Sequence, residues 1–404
     1  SSIGFAGGTN SDQVESVKET SDGGIVAVGF TQSFGAGNSD KTIVKYNYDG
    51  VEEWSKTWGG TSFEGADGVE VTSDGGFIVV GQTETYGAGS NDHSLVKFNS
   101  SGVEQWSKTW GGTGADWAFD VEQTSDGGFI TTGFTASYGA GANDMFLVKF
   151  DSSGVEQWSK TWGGVGNDEG YDVEQTSDGG YAVAGFTANY GAGGTDQVLV
   201  KFNSSGVEQW SKTWGSTSND EAFGLDLTSD GGFIVAGFTA SYGAGGNDQT
   251  LVKYNSSGVE QWSRTWGGTS TDTAVDVQET SGGGFVVAGF TNGFGSGGFE
   301  KTVLLFDSSG NISSCSGCAT QTVTEANETV TESDHSVTES NQTITEAEAS
   351  PAILVEAGSV GGFLNTLGGT SSDLARAVTS DSSGNVYVAG YGQSTNLTSG
   401  SNDQ

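Results

Sequence analysis

Short runs rich in Val, Phe, Thr, Tyr and Trp, broken by clusters of Gly, Ser, Asp and Asn, fill most of the chain. Such runs read as β-strands and the polar clusters as their turns. Residues 111–162 show the pattern most plainly: GGTGADWAFDVEQTSDGGFITTGFTASYGAGANDMFLVKFDSSGVEQWSKTW. It predicts strands over Ala118–Thr124, Phe129–Phe134, Phe146–Phe150 and Val155–Trp162, here a to d. Ser-Asp-Gly-Gly between a and b, and Asp-Ser-Ser-Gly between c and d, supply residues that tolerate positive φ and predict tight hairpins. The connections from b to c and from d to the next a are longer and Gly-rich.

The same text recurs from Gly7, Gly59, Gly163, Gly215 and Gly267, each start 52 residues from the last. Four antiparallel strands repeated at a fixed period of this size predict an all-β fold, a β-propeller of four-stranded blades. No blade can cover both its faces alone, so neighbours must pack on each other. Residues 1–318 hold six tandem repeats, the last of which loses both Trp positions in its strand d, Asn311–Cys318. Residues 319–351 form a Thr/Glu-rich linker, with four heptads TVTEANE, TVTESDH, SVTESNQ and TITEAEA over Thr322–Ala349. One apolar position per heptad is too few for a coiled coil, so an extended, solvated stalk is expected. Residues 352–404 return to the repeat in the order c-d-a-b. Counting strands, the N-terminal segment Ser1–Ala6 supplies a strand d that would complete the blade holding the last c. This closes a six-bladed ring and leaves residues 352–404 as an extra blade. That blade packs on another copy, begins a second propeller, or enters a seven-bladed ring.

The chain carries 51 acids against 14 bases, a formal charge of −37. Nucleic acid and anionic membranes attract basic surfaces and are excluded as partners. No apolar run is long enough to span a bilayer. The chain starts mid-repeat without Met or a signal peptide, as a mature or trimmed form would. Seven Asn-x-Ser/Thr sequons, at Asn99, Asn203, Asn255, Asn311, Asn327, Asn341 and Asn396, suit a secreted glycoprotein. At Asn99, Asn203 and Asn255 the Asn also opens a hairpin turn, where Asp151 and Asp307 serve sister turns. Cys315 and Cys318 are too few for a tetrahedral zinc site and lack a redox-fold setting, which leaves a local disulfide or an intermolecular link.

Gly368–Tyr391, GGTSSDLARAVTSDSSGNVYVAGY, resembles the β-propeller repeats of secreted and surface bacterial and archaeal proteins. The TSDGG and LVKFNSSGVEQWSKTW stretches of the other units are similar. The resemblance implies a propeller in an extracellular or cell-surface setting and no catalytic residues.

Two acids recur in the long loops. One set follows the double Gly (Asp12, Glu64, Asp116, Asp168, Asp220, Asp272, Asp373); the other precedes strand c (Asp40, Asp92, Asp144, Asp196, Asp248, Glu300, Asp403). Oxygen donors in rings suit Ca²⁺, the one cofactor the pattern admits, although none is required. The competing reading is that each Asp caps its own loop. The Trp pair of WSKTW reads as inter-blade packing or a sugar-stacking platform. His93 and His335 are the only histidines, and neither has a local nucleophile partner, so no enzyme is expected. The expected function is an extracellular structural protein, a glycosylated subunit of a filament or surface layer. It would join other copies of itself through linker and extra blade. The alternative is an adhesin or a carbohydrate- or calcium-binding module; a propeller hydrolase or lyase ranks last.

Overall fold

The computed structural model describes residues 10–292, 299–312, 374–379 and 386–390 throughout and, beyond them, the backbone of the short strands named below. Seven sheets are present. In the third blade Asp116–Gln123, Phe129–Thr135, Asp144–Phe150 and Glu156–Trp162 form an antiparallel meander from the axis outward. These bounds fall within two or three residues of those read from the sequence. The first five blades share this plan, with strand a at Asp12–Glu19, Glu64–Val71, Asp116–Gln123, Asp168–Gln175 and Asp220–Leu227. In the sixth, Asp272–Glu279, Phe285–Thr291 and Glu300–Phe306 supply a, b and c.

Val355–Gly358, Asp373–Ser380 and Val386–Gly392 build the seventh sheet, which lies between the sixth and first blades of its own ring. Ala375, Val378, Val386 and Val388 pack with Val286, Ala288 and Val303 on one side. Ala377, Tyr387 and Ala389 pack with Val14, Val17 and Ile25 on the other. Strands a touch in sequence around the axis, and Asp373–Ser380 closes the cycle between Asp272–Glu279 and Asp12–Glu19.

Strand assignment at the closure differs from the expectation. Ser2–Ile3 does not complete the blade of Glu300–Phe306; it pairs with Val355–Gly358 as the outermost strand of the seventh sheet. The sixth blade takes Asn365–Leu367 as its outer strand instead. The c and d segments that follow Pro351 therefore serve two different blades. Strand exchange at both sheets ties each end of the chain into the ring.

The heptad segment also departs from a projecting stalk. Cys318–Ala319, just before it, and its own strands Ala326–Glu328, Ser333–Asp334, Ser340–Asn341 and Ala347–Glu348 pair with the outer strands of blades five, four, three, two and one in that order. The chain thus runs backwards around the rim, adding a fifth strand to each of these blades. The rim strands were otherwise open edges with unpaired N–H and C=O groups, a state that invites aggregation.

Each hydrophobic cluster spans two neighbouring blades. Trp110 of the second blade is buried with Ile78, Val80 and Leu95 of its own sheet and with Phe129, Phe146 and Val148 of the third. Trp106 lies 5.9 Å from Phe129, and Trp110 lies 5.0 Å from Phe146. The WSKTW tryptophans are therefore inter-blade wedges. A rim lock completes the contact. The turn glycine Gly154 has φ 74°, and a Cβ there would sit 2.7 Å from the Trp106 ring; Gly102, Gly206, Gly258 and Gly310 meet the Trp of the preceding blade in the same way.

This lock gives a paired prediction. Gly154→Ala and Gly127→Ala (φ 81°, with nothing within 4 Å of its Cβ position) share the left-handed backbone penalty of about 1–3 kcal/mol. Only the first also displaces Trp106, so guanidinium unfolding should show the larger loss for Gly154→Ala. Equal losses would contradict the lock.

Candidate functional site

The loop carboxylates cap their own loops. Asp116 accepts hydrogen bonds from the Gly112 N–H at 2.8 Å and the Ser137 hydroxyl at 2.6 Å, and from the Thr135 hydroxyl. Asp144 accepts from the N–H groups of Ala140 and Gly141 at 3.1 and 3.2 Å. Asp12 accepts from Ser33, Asp168 from Gly164, Asp220 from Ser216 and Asp272 from Gly268. Asp40, Asp92, Asp196 and Asp248 accept from Ala36, Ala88, Ala192 and Ala244. The two sets meet in pairs from adjacent blades, as Asp92 and Asp116 do around Gly111. Burial, reinforced by the facing Asp220 or Asp272, pushes Asp196 up to about 7 and Asp248 up to about 6. Among the described residues no group of three or more His, Cys, Asp or Glu is placed to hold a metal ion.

At the opposite end, Asn99, Asn203 and Asn255 each accept two backbone N–H bonds within their turns through Oδ1. Asn311 is exposed beside Asp307. Asn327 and Asn341 lie in rim strands, opposite Lys212 and Lys108 in register. Asn396 and Cys315 lie outside the described residues, and of Cys318 only the backbone pairing with Trp266 is described. His93 is buried in the inter-blade core, stacked on Phe146 at 5.5 Å, and burial lowers its pKa to about 3. His335 lies outside the described residues.

The feature that sequence reading missed is on the axis. In strand a of all seven sheets the register slips between the third and fifth residues, as between Ala118 and Asp120. This β-bulge leaves the fourth residue unpaired and turns it out of the sheet. It also brings the two backbones together: a Cβ on Gly133 of strand b would lie 1.9 Å from the Trp117 carbonyl oxygen. The bulged residues are Glu15, Asp67, Phe119, Tyr171, Phe223, Val275 and Arg376, and all line one axial cavity of about 580 Å³. Their mixture of acids, bases and aromatics across otherwise matching repeats was the available signal.

One wall of the cavity is aromatic. Phe119 and Tyr171 stack at 4.6 Å with an interplanar angle of 2°, and Phe223 meets Tyr171 edge-on at 4.8 Å. Acids from six blades, Glu15, Asp67, Asp120, Asp172, Asp226 and Asp276 among them, line the rest together with apolar and hydroxyl side chains, and much of that acid is structural. Strand a is the inner edge of its sheet, and its outward N–H groups need acceptors. Asp120 accepts from the Val173 N–H at 3.1 Å, Asp172 from Leu225 at 2.7 Å, Asp226 from Glu279 at 2.6 Å and Asp276 from Val378 at 2.7 Å. Asp67 accepts from the Trp117 indole at 2.6 Å. Two cations enter this space: Lys18 lies 3.4 Å from Glu70, and Arg376 lies 3.4 Å from Glu15. Glu70, and then Asp120 and Glu174, raise the Lys18 pKa well above its ordinary value against the effect of burial. Burial pushes Asp67 and Glu122 up to about 7, Asp226 and Asp276 up to about 6, and Asp172 and Glu174 well above the carboxylate range.

The pH dependence follows. Carboxyls with raised folded pKa values keep protons in the ring that the unfolded chain releases. Their contribution is present below pH 4 and is lost as the pH rises through 6 to 7. The turn acids Asp22, Asp74, Asp126, Asp178 and Asp230 sit at about 2, each held by its Thr, a turn Gly N–H and the Lys of strand c against the effect of burial. Their contribution is present above pH 4 and is lost as the pH falls through 2. His93 opposes the axial acids between pH 6.5 and 3, and buried Lys41, lowered to about 7, opposes them above that pH, but these are two groups against six. The thermal midpoint should therefore rise between pH 8 and pH 5, and Glu174→Gln should flatten that rise. A midpoint that falls over this interval would contradict the axial assignment.

Among known proteins, residues 367–398 match the beta-propeller repeat family. A segment covering 25% of this chain is 29% identical over 114 residues to the regulatory protein FlaEY of Caulobacter vibrioides, of which it spans only 12%. Two solved structures are similar at low identity. Sqt1 from Chaetomium thermophilum matches at 11% identity and TM-score 0.42, over 76% of this chain and 74% of that one. BBS1N, solved in complex with ARL6DN, matches at 10% identity and TM-score 0.37, over 97% and 99%. Among the described residues no helix is long and apolar enough to cross a membrane. The chain is a β-propeller of tandem repeats, and its C-terminal unit carries the match to the beta-propeller repeat family.

Proposed function

We propose that this chain is a secreted or cell-surface binding ring, without catalysis of its own, that takes a cationic ligand into its axial cavity. The observation that carries this reading is the pairing, in one cavity of about 580 Å³, of a stacked aromatic wall with carboxylates from most of the blades. Aromatic faces and carboxylates both favour positive charge, and an enclosed site strengthens both attractions. Lys18 and Arg376 indicate which chemistry the space accommodates: an ammonium or guanidinium group, as on a polyamine or a basic peptide. The sequons support an extracellular setting, with the turn sites Asn99, Asn203 and Asn255 on the rim-side hairpins open to a glycan through Nδ2. Calcium has less support, because the paired loop carboxylates are occupied by their own loop N–H groups.

The filament or surface-layer reading loses one of its two supports. The seventh sheet packs within its own ring, so the strand count no longer requires a second copy. Assembly would have to use the rim.

Titration calorimetry at low salt with spermidine and with an Arg/Lys-rich peptide tests the binding reading. Binding should weaken in Tyr171→Ala and tighten in Lys18→Met, which removes the internal competitor. If neither probe binds the wild type or Lys18→Met, or if neutral oligosaccharides bind in their place, the reading fails.

A further inference from the structure

The rim strands and the heptad segment carry two unrelated repeat periods, and the structure sets them in step. Ala319, Ala326, Ser333, Ser340 and Ala347 stand seven residues apart; they register opposite Thr265, Thr213, Thr161, Thr109 and Thr57, which stand 52 apart. The next heptad position repeats the match: Asn327, Asp334, Asn341 and Glu348 register opposite Lys212, Lys160, Lys108 and Lys56. Small residues fall at the first position, and acids or amides face the Lys column at the second. The rim threonines, although on the outermost strand of each repeat, are only 1–5% exposed.

We propose that the rim is a repeated peptide-binding edge that takes one seven-residue step per blade, Ala319 seating on blade five and the four Thr/Glu heptads on blades four to one, so that the number of heptads is tied to the number of blades crossed. Recognition is by strand addition, in which backbone pairing supplies affinity and alternate side-chain positions supply register. An extended heptad reaches about 23 Å at ~3.3 Å per residue, one step along the rim. Each station pairs only two or three residues, so single stations are weak and the row holds by effective concentration. Both ends of the segment are anchored, at Glu300–Phe306 in the sixth blade and Val355–Gly358 in the seventh sheet. A missing heptad draws the remaining stations off their strands or pulls Val355–Gly358 out of its sheet, and a missing blade leaves one heptad without a seat.

A compensation experiment on the full chain tests this. Deletion of residues 322–328 removes the heptad of the fourth blade; deletion of residues 163–214 joins Trp162 to Gly215 and removes that blade in phase. Each alone should lower the thermal midpoint and expose the heptad segment to limited proteolysis, and the double deletion should recover most of both losses. A double deletion no better than the sum of its parts would overturn the proposal. A second measurement stands if the deletions do not fold. In a Cys315→Ser, Cys318→Ser background, Thr109→Cys should cross-link within one chain to Ser340→Cys, and the yield should be lost when the partner is moved one heptad to Ser333→Cys. Equal yields, or none from either pair, would reject the register.

Discussion

Sheet faces packed against neighbouring sheet faces hold this molecule together. A four-stranded sheet with apolar residues on both sides has no stable form alone, and here every apolar cluster is shared by two blades. The largest buried side chains, Trp110, Trp162 and Trp214 among them, are wedges between sheets. Closure follows: a row of such sheets is satisfied only when the last meets the first. The seventh sheet makes that meeting with Ala375, Val378, Val386 and Val388 on one side and Ala377, Tyr387 and Ala389 on the other. Strand exchange from both ends of the chain reinforces this seam.

Face packing leaves the two edges of each sheet. At the axis, the bulge in strand a exposes backbone donors, and carboxylates from the preceding blade accept them. Acids such as Asp120, Asp172 and Asp276 thereby stitch blades together while they colour the cavity negative. At the rim, the heptad strands pair with the outer edge. One constraint, that no sheet edge stay unpaired, accounts for the acidic axis and for the fate of the Thr/Glu segment. Binding chemistry at the axis is then a by-product of edge satisfaction, adjusted at the bulged position by Phe119, Tyr171, Phe223 and Arg376.

Much of this was legible in the sequence because the blade repeats itself. The period, the four strands, the Asp caps and the WSKTW wedges are all set by local pattern, and repetition averages out chance. The pairing of Asp126 with Lys149, 23 residues apart, went unread, although in the sixth blade Gly282 and Leu305 replace both partners together. What stayed hidden depends on register and destination. A bulge of one residue leaves only the Gly of strand b and the varied fourth residue of strand a as traces, and neither says that those positions meet on one axis. The heptads read as a stalk because they lack an apolar stripe. Strand addition uses backbone, and its only trace is a column of Ala and Ser at seven-residue spacing. Strand counting put Ser2–Ile3 in the wrong blade because Val355–Gly358 and Asn365–Leu367, adjacent in sequence, part to serve different sheets.

The account stands or falls on the ring closing with the C-terminal sheet inside it. Electron cryomicroscopy of the purified full-length chain, sorted into face-on views, measures this directly. Single discs with seven spokes are predicted. Six spokes with residues 352–404 lying outside the disc, or bridging to another molecule, would contradict it.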